Sequence, residues 1–327
     1  MPPSDDYRAL VCVTTCQRLR FLRRYLPHFA RFCVRDPRFS LLVALDGTET
    51  DTLGFCEAWE VPLLYSDARE GVGLSKNRVL EHYPDFDYYF FLEDDVELVD
   101  GSVFPAHVEL SRTSGIHHLS LFECGGVRKP TSESVVAGHR VVEGLFGSAD
   151  FGFYTGAGLS EVGGWHPRFA EYRRWGHTEH SYRFYRAGLA PAPFTVAKDL
   201  AGTCIWHYPS AVTRVQGVPV DGDEIAAPER ELIDQELRYV PVQTLSPYHV
   251  NDVPLGRPSR LAGVLDRGER YPLVVGRERR QSHSDYHLWR FGRATTLRER
   301  ARALIAATRD WPGNPALRDT VRTALRT

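Results

Sequence analysis

Residues 88–97 read Tyr-Tyr-Phe-Phe-Leu-Glu-Asp-Asp-Val-Glu. The aromatic and apolar half of this stretch is typical of a short strand that other elements cover on both faces. Glu93, Asp94 and Asp95 follow at once, and three adjacent carboxylates repel one another unless solvent or a cation neutralises them. Mg²⁺ and Mn²⁺ prefer oxygen ligands and bridge phosphates readily. The stretch therefore predicts either a cation site at the end of a buried strand or a solvated acidic turn.

The sequence before this stretch alternates strand-like and helix-like segments. Continuous apolar runs at Ala9–Thr14, Phe39–Leu45 and Val61–Tyr65 predict strands. Apolar residues spaced by three and four predict a helix over Arg20–Phe32, and a further helix is expected from about Ser75 to His82. Because strands alternate with helices through short connections, the fold class is α/β, with a mostly parallel sheet flanked by helices.

Polar residues stand where these predicted strands end, which is where open α/β sheets bind ligands. Thr14 and Thr15 end the first strand, and Asp46 ends the second. An aspartate there accepts a hydrogen bond from a uracil or a ribose, or it begins an Asp-Gly turn. The segment Gly71–Arg78 places flexible backbone and Lys76 at a helix N-terminus, which favours anions. Many loops share that pattern, so both interpretations of it stay open.

The composition excludes several classes of protein. The chain has 327 residues with a net charge of −2, which gives no sign of a nucleic-acid binder. Its six cysteines form no C-x-x-C pair, so free thiols in a reducing compartment are expected rather than a zinc ribbon. The sequence has no secretory signal and no apolar run of about 18 residues, so we expect a cytoplasmic location without a transmembrane segment. The excess of arginine over lysine suggests a bacterial source.

The order of these pieces resembles a known enzyme family. The pieces are Thr14-Thr15-x-x-Arg18, Asp46-Gly-Thr, Gly71-x-Gly-x-Ser-Lys76-Asn77-Arg78 and a strand running into Glu93-Asp94-Asp95. Together they resemble the family 2 glycosyltransferases and their relatives of GT-A fold. The wording around the acidic triplet is also similar to the Glu-Asp-Asp motif of the N-acetylglucosaminyltransferase I type.

The resemblance continues into the middle of the chain. Tyr154–Phe169 is similar to the glycine-rich stretch that lies beside the acceptor in that family, and the segments Trp175–Arg183 and Trp206-His207 follow in the same order. The resemblance thus covers residues 8–210. It implies a catalytic domain over residues 7–210, with a nucleotide-sugar half (7–100) and an acceptor half (101–210). Residues 211–327 are then a C-terminal extension.

The resemblance also implies roles for individual residues. Asp95 is the expected direct ligand of Mn²⁺ or Mg²⁺, helped by Glu93 and by His207, although a strand-end histidine is the plain alternative for the last. The donor-binding residues implied are Thr14, Thr15, Arg18, Asp46, Lys76, Asn77, Glu93 and Asp94. Trp165, Trp175 and Tyr172 are expected either as platforms for the acceptor or as ordinary core aromatics.

The catalytic base is where this sequence departs from the family. Family members open the acceptor-site helix with Glu-Asp, and this chain has Gly176-His177 there. An imidazole with an ordinary pKa of about 6.5 is able to take the proton. Glu179 lies nearby and competes for the role. His177 and His180 otherwise only cap or line the helix.

The resulting hypothesis is an inverting, metal-dependent glycosyltransferase that uses a nucleotide-diphosphate sugar, with UDP-sugar favoured and hexosyl or N-acetylhexosaminyl transfer expected. A nucleotidyltransferase is less favoured, because Thr15-Cys-Gln-Arg18 is not the glycine-rich loop that such an enzyme needs. A degenerate sugar-binding module that lost its base is the non-enzymatic alternative. The extension, with a basic amphipathic helix at Arg298–Arg309, is open as an acceptor lid, a homodimer arm or a peripheral membrane contact.

Overall fold

The structure is a computed structural model that describes residues 6–121, 128–147, 150–172, 175–206, 227–257, 259–264, 300–302, 304–305 and 308. The chain divides into two compact units, the first comprising Met1–Ile205 with Val215–Arg267 and the second Trp206–Arg214 with Gly268–Thr327. Nearly all of the second unit, including most of the predicted helix Arg298–Arg309, lies outside the described residues. Among the described residues, no helix is both long enough and apolar enough to cross a bilayer.

The first part of the chain folds as the apolar pattern predicts. Its strands are β1 (Ala9–Thr15), β2 (Phe39–Leu45), β3 (Leu63–Ser66) and β4 (Tyr88–Glu93). Its helices are α1 (Leu19–Arg35), α2 (Thr50–Ala58) and α3 (Val72–His82). The strands are parallel in the order β3-β2-β1-β4, and β1 pairs with β4 so that Thr14 is opposite Glu93.

The second part adds five strands to the β4 side of this sheet, one strand to its β3 side and a separate two-stranded pair. Its strands are β5 (Val96–Leu98), β6 (His118–Leu121), β7 (Arg128–Val136), β8 (His139–Phe146), β9 (Phe151–Thr155), β10 (Phe194–Ala197), β11 (Cys204–Trp206) and β12 (Tyr248–Val250). Its helices are α4 (Val103–Ser114), α5 (Gly156–Val162), α6 (Arg168–Tyr172), α7 (Gly176–Arg186) and α8 (Ala227–Asp234), with 3-10 turns at Lys198–Leu200 and Arg260–Val264.

Ten strands form one sheet in the order β12-β3-β2-β1-β4-β9-β6-β10-β8-β7, and β5 pairs separately with β11. Strands β8, β9 and β12 run against the direction shared by the other seven. The predicted α/β class with a mostly parallel sheet flanked by helices is therefore confirmed. The antiparallel β9 lies directly beside β4, so the start of β9 meets the acidic end of β4.

Aromatic residues build the core under this edge. The ring centroids of Phe90 on β4 and Phe104 on α4 lie 4.9 Å apart, edge to face, and both side chains are fully buried. Phe91, on the opposite face of β4, meets Trp165 edge to face at 5.3 Å. Since both faces of β4 are covered, its position is fixed and the carboxylates that follow it are held at a defined edge.

A return segment, residues 239–250, belongs to the first unit although it lies beyond the predicted boundary at residue 210. The Val240 backbone N–H donates to the Val162 carbonyl at 3.1 Å, and the Gly164 N–H donates to the Val240 carbonyl at 2.9 Å. Gly163 has φ +77°, and an added Cβ would lie 1.8 Å from the Val240 oxygen, so only glycine fits there. The segment ends in β12, which pairs antiparallel with β3. The first compact unit therefore extends to Arg267.

Candidate functional site

The ends of β1 and β4 are tied together by side-chain hydrogen bonds. The Thr14 hydroxyl donates to the Leu92 carbonyl at 3.0 Å, and the Thr15 hydroxyl donates to Asp94 Oδ2 at 2.6 Å. Both threonines and Asp94 are buried. The two predicted strand ends thus meet at one place, where the Thr15 hydroxyl donates a hydrogen bond to the acidic triplet.

Arg18 supplies the positive charge at this edge in the structure. Its Nη1 lies 3.1 Å from Asp94 Oδ1, and its Nη2 donates to Asp95 Oδ2. Burial acts to lower the pKa of the guanidinium, but the charges of Asp95 and Asp94 outweigh it and the pKa is raised. The carboxylates are therefore neutralised, at least in part, by a residue of the chain itself.

Burial and mutual repulsion disfavour the charged forms of Glu93 and Asp94. Burial, and then the neighbouring carboxylates against the pull of Arg18, raise the pKa of Asp94 to about 7. Burial and the charge of Asp95 likewise raise the pKa of Glu93, which is half-buried. One carboxylate oxygen, Asp95 Oδ1, is buried and has no hydrogen-bond partner among the described residues. An unpartnered carboxylate oxygen is an unusual cost in a folded protein and fits a cation ligand.

The described residues do not by themselves make a complete metal site. No group of three or more His, Cys, Asp or Glu side chains that could hold an ion is found among them. His207, the third ligand expected from sequence, lies outside the described residues. Of the expected ligands, Asp95 and Glu93 lie within the described residues, and their carboxylate oxygens fit Mg²⁺ or Mn²⁺.

Lys76 is a buried cation beside the triplet. Its side chain is 3 % exposed, and its Nζ lies 5.1 Å from the ring centroid of Trp165 and 5.7 Å from that of Phe91. Burial lowers the pKa of Lys76, while the charges of Glu93 and Asp150 act to raise it. A buried ammonium held mainly by ring faces remains able to attract an anion.

Sequence reasoning did not identify Asp150. This half-buried residue directly precedes β9, and its carbonyl accepts the Glu93 backbone N–H at 2.9 Å. Its charge is felt by the Lys76 ammonium. The signal in the sequence was an acidic residue immediately before the apolar run Phe151–Thr155. It would have been informative only if β9 had been predicted to pair antiparallel with β4.

Asp46 is engaged by the protein itself. Its Oδ1 accepts the Glu70 N–H and its Oδ2 accepts the Gly71 N–H, both at 2.8 Å. Arg78 approaches Asp46 Oδ1 to 3.4 Å and is bound to Glu70 at 2.6 Å. Asp46 therefore shapes the loop that leads into α3. Its predicted contact with a nucleotide stays a prediction.

Asn77, predicted to bind the donor, has a structural position. Its side-chain amide donates to the carbonyls of Trp165 at 2.9 Å and Gln243 at 3.0 Å, and its oxygen accepts the Trp165 N–H at 2.7 Å. The side chain is fully buried. Both amide hydrogens are used, so Asn77 joins α3 to the Gly163–Trp165 turn and to the return segment rather than facing a ligand.

His177 does not have the ordinary pKa that its predicted role as base assumes. Burial and the nearby Lys76 charge lower the pKa of the imidazole to about 3, against a hydrogen bond to the Gly147 backbone that acts to raise it. The ring also stacks with Trp175, with centroids 6.3 Å apart. At neutral pH the imidazole is uncharged and only weakly basic.

Glu179, the competing base, is closed off from any substrate. Its carboxylate is fully buried and binds Arg183 at two points, Nε to Oε1 at 2.7 Å and Nη2 to Oε2 at 3.0 Å. Arg183 also donates to the carbonyls of Val162 and Gly164. This network fastens α7 to the end of α5, so the structure gives Glu179 a structural role.

The two tryptophans differ in exposure. Trp165 is 2 % exposed and stacks on His180 with ring centroids 4.1 Å apart, so its face is not open to an acceptor. Trp175 is half-buried at the start of α7, where it packs on a cluster formed by Phe169, Leu232 and Ile233. The side chain of Tyr172 lies outside the described residues. Of the two, Trp175 is the more exposed, and its predicted contact with an acceptor stays a prediction.

Comparisons with known proteins add three solved structures. No protein-family model matches the sequence, and no curated protein matches it either. The chain is similar to TarS of S. aureus, with 14 % identity and a TM-score of 0.44, over 90 % of this chain and 50 % of that one. It therefore spans half the length of that TarS chain.

The chain is also similar to TarS 1–349 in complex with UDP-GlcNAc, at 14 % identity and a TM-score of 0.47, over 97 % of this chain and 92 % of that one. The mannosyltransferase PcManGT from Pyrobaculum calidifontis, in complex with GDP-Man and Mn²⁺, has 12 % identity and a TM-score of 0.47, over 97 % of this chain and 84 % of that one. We transfer no residue role, ligand or activity from structures this distant.

Proposed function

We propose that this chain is a glycosyltransferase that moves a sugar from a nucleotide-diphosphate sugar to an acceptor hydroxyl with inversion. The observation that carries the proposal is the buried charge cluster at the ends of β1 and β4. There the Thr15 hydroxyl binds Asp94, and the Arg18 guanidinium binds both Asp94 and Asp95. The Lys76 ammonium lies nearby. Cations and carboxylates at the carboxyl edge of a parallel sheet suit a phosphorylated ligand and its counter-ion.

Each group in this cluster has a role in the proposal. The Arg18 and Lys76 side chains attract the diphosphate of the donor, and burial strengthens their effect because the local dielectric is low. Asp95 and Glu93, together with His207, are the residues that would hold Mg²⁺ or Mn²⁺. When bound, such an ion offsets the charge that develops on the departing diphosphate.

The catalytic base that we propose differs from Glu179 and His177, the two candidates expected from sequence. Glu179 is committed to Arg183, and a pKa of about 3 leaves the His177 imidazole a poor proton acceptor. Asp150 is a half-buried residue immediately before β9, and its backbone carbonyl accepts the Glu93 N–H. We place Asp150 first for removing the acceptor proton, with His177 as the second candidate.

The sugar donor and the transferred group are proposed from the resemblance in sequence, and the source and location from the composition. The donor is proposed to be a UDP-sugar and the transferred group a hexosyl or N-acetylhexosaminyl unit. We propose a bacterial, cytoplasmic enzyme in which residues 211–327 contribute an acceptor lid, a homodimer arm or a peripheral membrane contact.

A panel of UDP- and GDP-sugars, tested with Mn²⁺ and with Mg²⁺, tests the proposal. We expect one donor to raise the melting temperature and to be hydrolysed slowly when no acceptor is present. Binding without hydrolysis or transfer would identify a degenerate sugar-binding module. Release of pyrophosphate from a nucleoside triphosphate and a sugar phosphate would identify a nucleotidyltransferase.

A further inference from the structure

Arg18 is bound to one oxygen of each carboxylate of the pair Asp94 and Asp95. Its Nη1 lies 3.1 Å from Asp94 Oδ1 and its Nη2 binds Asp95 Oδ2. Thr15 takes the remaining Asp94 oxygen at 2.6 Å. Among the described residues, Asp95 Oδ1 is then left without a partner although Asp95 is 1 % exposed. The pair is thus closed by this chain's own donors except at one buried oxygen.

The arginine is the most exposed member of this ion-paired group. Its side chain is 12 % exposed, whereas the side chains of Asp94 and Asp95 are 2 % and 1 % exposed. Arg18 Nε is buried without a hydrogen-bond partner among the described residues, so only the two Nη atoms hold it to the carboxylates. The guanidinium also lies over the Phe21 ring, 4.7 Å from its centroid, a contact that tolerates sliding.

A divalent cation and the guanidinium compete for this position. Both are cations drawn to one carboxylate, the guanidinium at Asp95 Oδ2 and a metal ion at the unpartnered Oδ1, and in a buried site their mutual repulsion is poorly screened. When a ligand binds only after another contact breaks, its affinity is lowered by the free energy of that contact. Here the contact is the one between Arg18 and Asp95.

We propose that Arg18 is an internal counter-ion of Asp94 and Asp95, and that a divalent cation binds Asp95 by displacing the guanidinium from it. The inference rests on the proposed function for the presence of a cation site. It goes further in making Arg18, rather than the carboxylates alone, the residue that sets the metal affinity. Arg18 is in this sense a positioning residue, with its guanidinium either on the carboxylates or free for an anionic ligand.

Mn²⁺ binding to the full chain, measured without nucleotide by the electron paramagnetic resonance signal of free Mn²⁺, tests this exchange. Arg18→Met should bind Mn²⁺ about tenfold tighter than the natural chain or more, within the range of typical coupling effects. Arg18→Lys keeps one charge and should fall between the two. Arg20→Met is the matched control, because Arg20 lies over the same Phe21 ring at 5.0 Å but is exposed, and it should leave the Mn²⁺ affinity unchanged.

Mn²⁺ binding by Arg18→Met that equals or is weaker than that of the natural chain would overturn the proposal. So would Arg18→Met/Asp95→Asn binding Mn²⁺ more tightly than Asp95→Asn alone by the same factor. If Arg18→Met does not fold, Arg18→Met/Asp94→Asn removes one repelling charge and should show the same tightening relative to Asp94→Asn alone. The measurement uses Mn²⁺ without any nucleotide-sugar, so its result does not depend on the proposed function. A natural chain that binds Mn²⁺ but neither binds nor turns over any nucleotide-sugar would instead refute the proposed function.

Discussion

The Glu179 carboxylate and the Arg183 guanidinium, one turn apart on α7, form a two-point ion pair from which solvent is excluded. Removing one member of such a pair leaves the other as an uncompensated buried charge, which typically costs about 3–5 kcal/mol. The same guanidinium holds the Val162 and Gly164 carbonyls at the end of α5. The pair therefore stabilises the fold at the place where a catalytic base was expected.

Glu179→Gln should lower the free energy of unfolding by about 3 kcal/mol or more, and activity per folded molecule should change little. Urea unfolding and activity corrected for the folded fraction measure the two effects. Glu161→Gln, at an exposed glutamate of α5, is the matched control and should change stability by less than about 0.5 kcal/mol. Unchanged stability with lost activity would restore Glu179 as the base.

Asp150→Asn should reduce kcat by about 10²-fold or more, because proton abstraction contributes about 10²–10⁴-fold in typical enzymes. His177→Gln should have a much smaller effect. Since the pKa of His177 is about 3, its imidazole stays neutral above pH 5, and the pH–rate profile should show no step near pH 6.5 due to this residue. A step near pH 6.5 that disappears in His177→Gln would identify His177 as the base instead.

Asp95→Asn should remove metal-dependent nucleotide binding and transfer together, with a loss of about 10²–10³-fold in kcat if any activity remains. Calorimetric titration of the nucleotide with and without Mn²⁺ separates the two properties. Asp85→Asn makes the same change at an exposed aspartate before β4 and should leave both intact. Activity with unchanged metal dependence in Asp95→Asn would show that the metal assignment is wrong.

Lys76→Met should weaken donor binding by about tenfold or more, through loss of a buried cation near the diphosphate. The melting temperature should stay the same or rise, because burial of the ammonium already disfavours its charged form and lowers its pKa. Lys198→Met changes a more exposed lysine bound to Glu133 and should not alter donor affinity. A stable Lys76→Met with normal donor affinity would contradict the role.

Stability should fall as the pH drops below about 6.5. Burial lowers the pKa of both His107 and His118 to about 4, whereas the unfolded chain has a histidine pKa of about 6.5. Between these values the unfolded state binds more protons, so the free energy of unfolding rises with pH across this window. Each histidine contributes at most about 3 kcal/mol, fully present above pH 6.5 and lost toward pH 4.

Urea unfolding at pH 7 and at pH 4.5 measures this loss. In His118→Gln the difference between the two pH values should shrink, because the side chain that binds the Phe153 carbonyl and the Ser181 hydroxyl no longer titrates. His82→Gln, at an exposed histidine on α3, is the control. An identical pH difference in the natural chain and in His118→Gln would contradict the assignment.

The parallel half of the sheet could be predicted because each strand is a continuous apolar run whose burial on both faces leaves a simple signature. The position of Asp94 and Asp95 at one edge with Thr15 follows from that topology. The partner of the carboxylates did not follow, because whether Arg18 turns toward Asp95 depends on side-chain packing over Phe21. Sequence spacing does not encode such a choice.

The base was harder for a different reason. The four-residue spacing of Glu179 and Arg183 is visible in the sequence, but their complete burial is not. Burial there depends on the turn at Gly163, and that turn is covered by Val240, which is distant in sequence. The return segment lies beyond residue 210, where the resemblance places the end of the catalytic domain. Contacts of this range are fixed by the tertiary fold rather than by local propensity.

The return segment has a consequence for how the chain emerges from the ribosome. Asn77 and Gly164 find their partners at Gln243 and Val240, so the first unit stays unfinished until those residues have been synthesised. At typical elongation rates of about 5–20 residues per second, the roughly forty residues between β11 and β12 take roughly 2–8 s. During that interval β3 is an open edge and the Asn77 amide lacks one of its two acceptors, so nascent chains should depend on holding chaperones.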